Sequence, residues 1–225
     1  MFASMLLRRP NGLWFRRVAR KKPKSQSWRN SSWRRVSSFT MSQFSWWPWS
    51  SKETTVEGVA DAIRLALTHA RFGNTLGSFL VYGTDEGRIL LAVSDEPFDK
   101  IVGLESDALV AEQALRNVQR RASREAAQRI EVLCETAATF VVPDSVTTVF
   151  AWNVGVPLPL DDILTQLGQS LQQRPRSLRV IYAAPADTDI AALMACPWVD
   201  DVTPIPTFEH EEIRMLVLEH FYAGT

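Results

Sequence analysis

The sequence predicts an α/β domain, a mostly parallel sheet covered on both faces, behind a basic extension. Three observations predict it. From residue 54 onward, short apolar runs bounded by turn residues alternate with segments whose apolar residues recur at helical spacing. Charge is segregated: Lys plus Arg and Asp plus Glu each number 25, yet residues 1–52 hold 12 basic and no acidic residues. Residues 53–225 therefore hold 13 basic and 25 acidic residues and form an acidic body. Finally, 225 residues at 46% hydrophobic suffice for one ordinary α/β domain plus a tail, with the boundary at 52/53. No apolar run approaches the roughly 18 residues that a bilayer-spanning helix needs. Cys134 and Cys196 stand far apart without CxxC spacing, which excludes a disulfide scaffold and a zinc site and fits a reducing, intracellular compartment.

The body opens with a capping-box pattern, Thr54 to Glu57. Val56, Val59, Ile63, Leu67 and Ala70 then follow at helical spacing, predicting an amphipathic helix to about Phe72. Gly73, Asn74 and Gly77 break it, and Ser78 to Gly83 (SFLVYG) reads as a short buried strand with a turn behind it. Ile89 to Val93 suits a returning helix. Lys100 to Glu105 (KIVGLE) is a second strand, and Asp107 caps a long helix with Val110, Ala111, Ala114, Leu115 and Val118 on one face. Arg120, Arg121, Arg124 and Arg129 read as cations closing that helix. RIEVLC (129–134) and TTVFAWN (147–153) supply two more strands, separated by a loop with Pro143 and Asp144. Leu160, Ile163, Leu164, Leu167 and Leu171 form another helical stripe whose first turn carries Asp161 and Asp162. SLRVIY (177–182) is a fifth strand, Asp189 to Met194 a short helix, and Asp201 to Phe208 and Ile213 to Phe221 close the domain as strands. Strands alternating with helices in this way imply parallel pairing, and such sheets bind ligands beyond the carboxyl ends of their strands.

The extension holds 11 serines, six of the eight tryptophans and paired bases such as Arg8–Arg9 and Lys21–Lys22. Several readings stay open. Its composition is that of a mitochondrial or plastid transit peptide; otherwise the body is cytoplasmic. It equally suits a solvated extension, or sequence upstream of a start at Met41. Interleaved Arg and Trp also suit contact with nucleic acid or an anionic membrane surface, and Trp46, Trp47 and Trp49 suit packing on the domain.

Chemistry is expected at the turn Tyr82 to Arg88 (YGTDEGR), which follows the first strand and opens a helix. Glu105 ends the second strand 22 residues after Gly83, where its carboxylate would emerge beside that turn and accept from the two hydroxyls of a ribose. A tight turn needs glycine in any case, so spacing alone leaves a purely structural turn open.

The run from Phe79 to Arg121, with RIEVLCETAATF, VFAWNVG and QSLQQRPRSLRVIYAAP, resembles the class I S-adenosylmethionine-dependent methyltransferases over about residues 55–225. The resemblance implies a three-layer Rossmann-like sheet, mostly parallel with an antiparallel last strand. It implies S-adenosylmethionine as cofactor, held at a weakened site by Gly83, Thr84, Asp85, Gly87 and Glu105, with Glu135 and Thr136 near the adenine and Asn153 positioning a methyl acceptor. The chain departs from the family's pattern at three contacts. Val81 stands at the first-strand acid, Asp85 at the middle glycine, and Glu135-Thr136-Ala137 replaces the third-strand acid. Asp85 would set a second negative charge near the methionyl carboxylate; two unit charges about 4 Å apart repel by about 4 kcal/mol at an effective dielectric of about 20. The implied chemistry is in-line methyl transfer without a metal, driven by proximity and alignment. The methyl acceptor is left unassigned, with protein and nucleic acid both open, and Trp152 either stacks on it or is an ordinary buried aromatic. The alternative is an inactive binding or scaffolding module of the same fold. His210, Glu211, Glu212 and His220 lack the spacing that places two imidazoles on one helical face, and His69 reads as a helix cap. Oligomeric state is not readable.

Overall fold

Helix α1 (Val56–Thr68) opens the part of the chain that the computed structural model describes, namely residues 56–68, 77–153, 157–205 and 215–222, with 56–59 as backbone only. Ala60, Ile63 and Ala66 put one buried stripe of this helix on the sheet. The Thr54–Glu57 capping pattern, His69, and the breakers Gly73 and Asn74 fall outside the described residues and side chains.

Strand β1 (Ser78–Tyr82) is buried at every position, as a central parallel strand with two covered faces must be. A turn with one 3-10 loop (Asp85–Gly87) leads into the short helix α2 (Arg88–Ala92). Strand β2 (Lys100–Glu105) and helix α3 (Ala108–Arg121) follow, and Asp107 caps α3 by accepting from Leu109 N and Val110 N at 2.8 and 3.2 Å. The arginine-rich run differs from the expectation of one long helix. Ala122 leaves the helical region (ψ 150°), Ser123 Oγ accepts from Ala126 N at 3.1 Å, and a separate helix α4 (Arg124–Arg129) begins. Arg129 is consequently a staple rather than a helix-closing cation. Its guanidinium donates to the carbonyls of Ser94, Glu96 and Phe98 at 2.9, 3.0 and 2.6 Å, fixing the loop that enters β2.

Strands β3 (Ile130–Cys134) and β4 (Val146–Trp152), helix α5 (Leu160–Gln173), strand β5 (Leu178–Ala183), helix α6 (Asp187–Ala195) and strands β6 (Asp201–Ile205) and β7 (Met215–His220) complete the order. The sheet runs β3-β2-β1-β4-β5-β7-β6. The first five strands are mutually parallel, whereas β7 is antiparallel to both β5 and β6, matching the expected three-layer Rossmann-like sheet with an antiparallel last strand. Of the expected closing strands, residues 206–208 and 213–214 lie outside the described residues, and Phe221 lies just beyond β7. Pro204, which lacks an N–H, sits in β6, the edge strand, while the apolar run of β7 takes the buried place beside β5.

Two apolar clusters cover the two faces. One joins Phe79, Val81, Phe150, Trp152, Ile181 and Val217 to α1 and α2. The other joins Leu80, Tyr82, Val102, Val149 and Leu218 to α5 and to Ala137, Phe140 and Val142 of the β3–β4 loop. Alternation along each strand divides neighbours between the faces. The chain changes direction across the sheet between β1 and β4, so the carboxyl ends of these two strands flank the topological switch point.

Candidate functional site

The turn after β1 is built from backbone conformations that most residues avoid. Gly83 has φ +80° and donates its N–H to Leu104 O at 3.0 Å, tying the turn to β2. Asp85, Glu86 and Gly87 follow at φ +46°, +53° and +88°. Holding two non-glycine residues there costs about 1–2 kcal/mol each, which the surrounding packing must supply. Three contacts do so. Asn117 Nδ2 donates to Glu86 O at 2.8 Å, Gly87 N donates to Thr84 O at 2.9 Å, and Gly87 lies so close to α3 that a Cβ there would stand 3.0 Å from Ala114 O.

Glu105 meets this turn directly. Its Oε2 accepts from Thr84 N at 3.3 Å, and its Oε1 accepts from Ser106 N and Asp107 N at 2.9 and 3.2 Å. An ionised carboxylate has about four acceptor directions, so three backbone donors leave about one for a ligand. Gly103 in β2 makes the close approach feasible. A Cβ there would meet Thr84 Cγ2 at 2.7 Å and Leu90 Cδ1 at 2.9 Å, so the missing side chain is the seat of Thr84.

Asp85 turns toward Arg88, with 3.6 Å between carboxylate and guanidinium and both side chains nearly half exposed. That pairing offsets part of the repulsion expected from the sequence, though an exposed pair is screened by water. Glu135 N donates to Glu105 O at 3.0 Å, which brings the end of β3 beside the end of β2 with the Glu135 side chain half-buried. Thr136 is exposed, its hydroxyl 3.0 Å from that of Thr139 and its carbonyl accepting from Phe140 N at 3.1 Å.

Asn153, just beyond β4, is held at three points. Its N–H donates to Ala183 O at 3.1 Å, its Oδ1 accepts from Leu158 N at 3.1 Å, and its Nδ2 donates to Asp189 Oδ2 at 3.0 Å. The amide orientation is thereby defined, because flipping it would set two donors face to face at Leu158. Asp189 Oδ2 also accepts from Tyr182 OH at 3.0 Å and Ala186 N at 2.9 Å. Burial, followed by the adjoining Asp189 charge, raises the Tyr182 phenol well above its ordinary pKa. Leu158 reaches over the turn, 3.9 Å from the place of a Cβ on Gly83. Trp152 is buried, edge-to-face with Phe150 at 6.2 Å between ring centroids, and so is a packed aromatic of the first cluster.

Gly103, Asn117, Leu158, Tyr182 and Asp189 complete this arrangement and were not singled out from the sequence. Gly103 carried a signal, since an isolated glycine inside a strand marks close backbone approach. The others are brought in by tertiary contacts of 31, 5, 7 and 36 residues' separation, for which no local pattern exists. The remaining polar candidates lie elsewhere: His220 Nδ1 and Asp200 Oδ2 are 3.0 Å apart, and His210, Glu211 and Glu212 are outside the described residues. Among the described residues no group of three His, Cys, Asp or Glu side chains is disposed to hold a metal, and no helix is long and apolar enough to cross a membrane.

Comparison with known proteins assigns the fold. No protein-family model matches the chain, and no curated protein matches it in sequence. Solved structures do. The N-methyltransferase NodS from Bradyrhizobium japonicum, in complex with S-adenosyl-L-homocysteine, is 12% identical with a TM-score of 0.52, over 77% of this chain and 91% of that one. A SAM-dependent methyltransferase from Aquifex aeolicus is 13% identical at TM-score 0.51, over 72% and 90%. Human methyltransferase 10 domain containing protein is 15% identical at 0.51, over 78% and 86%. At these identities the shared property is the fold, that of the class I S-adenosylmethionine-dependent methyltransferases.

Proposed function

We propose that this protein is a divergent S-adenosylmethionine-dependent methyltransferase, with its cofactor site on the β1–α2 turn. The contact between Thr84 N and Glu105 Oε2 carries the reading, because it brings the glycine turn and the second-strand carboxylate to one place at the switch point of the sheet. The residues fit the group. Gly83 leaves its face free of any contact shorter than that with Leu158, and Glu105 keeps one acceptor direction for a ribose hydroxyl. In this reading Gly83, Thr84, Asp85 and Gly87 line the amino-acid end of the cofactor, Glu105 holds the ribose, and Glu135 and Thr136 border the adenine. The cofactor would supply an electrophilic methyl group. Asn153 would orient the acceptor through the one Nδ2 hydrogen that Asp189 does not take, while alignment supplies most of the acceleration. In the same reading the basic residues 1–52 serve targeting or contact with nucleic acid or an anionic membrane.

A binding or scaffolding role is the second reading, and one observation favours it. Val81, where the family carries an acid, is fully buried in the apolar cluster and offers no polar atom to a ligand. Calorimetric titration of the full chain with S-adenosylhomocysteine separates the two. Saturation at micromolar ligand is the expected result; absence of heat at millimolar ligand would remove the enzyme reading.

A further inference from the structure

Nearly every cation of the described residues has a fixed counterpart. Arg64, Arg88, Lys100, Arg116 and Arg174 each pair with a carboxylate. Arg129 and Arg176 donate to main-chain carbonyls, and Arg179 lies against the Glu219 charge across β5 and β7. Arg120, Arg121 and Arg124 remain, and they stand together at the junction of α3 and α4. All three are exposed, and among the described residues their guanidiniums have no carboxylate or hydrogen-bonding partner; Glu125, next to Arg124, forms no ion pair with any of them. Fold stability explains two of them at most. Arg120 and Arg121 occupy the last turn of α3, where a cation meets the negative end of the helix dipole. Arg124 opens α4, at the opposite, positive end, where a cation is unfavourable. Residues 53–225 hold only 13 basic residues against 25 acidic ones, so a group of cations that folding leaves unused is a feature of the surface and not of its average composition.

We propose that Arg120, Arg121 and Arg124 form a docking surface for the phosphate backbone of a nucleic acid. Charge complementarity commits the surface to a polyanion, because three guanidiniums without counterions on two successive helices match a row of phosphates better than a single anion. Their being arginines favours phosphate, since the planar fork donates two parallel hydrogen bonds to one such group. A membrane surface fits less well. Gln119, Ala122 and Ser123 around them supply no large apolar side chain to enter the lipid interface. The acidic remainder of the body does not cancel the attraction, because at physiological salt exposed charges more than about 8 Å apart are largely screened. Helix α3 begins just after Glu105, and its 14 residues carry Arg121 about 20 Å along the helix axis from that end. The surface is therefore separate from the β1–α2 turn, and the inference is independent of the methyltransferase reading.

The test uses the full-length chain and a fluorescein-labelled single-stranded DNA of about 20 nucleotides, with binding isotherms across a salt series. Residues 1–52 carry 12 basic residues of their own and are identical in wild type and variants, so the difference between them reports the α3–α4 junction. The triple variant Arg120→Gln, Arg121→Gln and Arg124→Gln is expected to make the slope of log K against log salt shallower by about 2, at about 0.7 per phosphate contact, and to weaken binding at low salt at least about tenfold. Two unrelated sequences should lose affinity equally, because backbone contacts carry no sequence information. Arg124→Gln alone is the control for folding, with a Tm equal to that of wild type or slightly higher and a slope shallower by about 0.7. An unchanged slope in the triple variant overturns the proposal, as does absence of DNA binding by the wild type. Binding to phosphatidylserine vesicles that is lost in the triple variant while the DNA slope stays the same assigns the surface to membranes and overturns it as well. A Tm lowered by several degrees in Arg124→Gln overturns it too, because the guanidinium would then serve the fold. Each of these outcomes leaves the cofactor reading unaffected.

Discussion

Gly103 shows how a single missing side chain sets the site. It belongs to β2, touches no expected ligand group, and leaves the space in which Thr84 Cγ2 and Leu90 Cδ1 lie. Gly103→Ala would put a Cβ 2.7 Å from Thr84 Cγ2 and 2.9 Å from Leu90 Cδ1, inside any real contact distance, so the Thr84 and Leu90 side chains have to shift and the seat of the turn on β2 is disturbed. We expect at least a tenfold loss of S-adenosylhomocysteine affinity by calorimetry, with a stability loss of about 1–3 kcal/mol from overpacking. Unchanged affinity would show that the seat of Thr84 is irrelevant to binding. The sequence exposed part of this site. The turn glycines and Glu105 followed from a strand–turn–helix context and a spacing. The mutual contact of Glu105 with Thr84, and the use of Asn153 to hold Leu158 and Asp189, depend on loops meeting in space.

Among the elements, the helices were legible and their joints were not. The α5 stripe at 160, 163, 167 and 171 is buried as its spacing required. The break between α3 and α4 turns on one serine hydroxyl, a cap whose competing reading was an exposed helix interior. Joints in this molecule are fastened by arginines. Arg176 donates to Val146 O, Ser170 O, Arg174 O and Pro143 O and to Ser170 Oγ, at 2.8–3.4 Å, locking the end of α5 to the start of β4. Burial lowers its pKa, and the Asp144 charge counters that in part. Arg176→Met leaves those carbonyls short of donors at a half-buried joint, and we expect a loss of about 2–4 kcal/mol. Urea unfolding checks it: the midpoint should fall at constant slope, and a midpoint within error of wild type would refute the fastening role.

For the molecule as a whole, one face of the sheet carries two phenols that folding keeps neutral. Tyr82 is raised by burial alone, and Tyr182 by burial with help from Asp189. The unfolded chain ionises its tyrosines near pH 10 while the folded chain resists, so this contribution is fully present below that pH and is lost as pH rises above it. Thermal unfolding between pH 7 and 11 should show Tm falling above about pH 10, with a shallower fall in Tyr82→Phe; parallel profiles would remove Tyr82 from the alkaline transition. What the sequence by itself determined is the set of local decisions. Burial-type strands, helical stripes, the Asp107 cap and the glycine turn all depend on neighbours a few residues apart, whose periodicity is visible along the chain. Tertiary structure alone decided the placement of β7 between β5 and β6, the hydrogen bond that Glu105 accepts from Thr84 N, and the use of Asn153 to hold Leu158 and Asp189. Those outcomes depend on which strands lie side by side, and the free energy that chooses among pairings is summed over the whole core rather than written in any one segment.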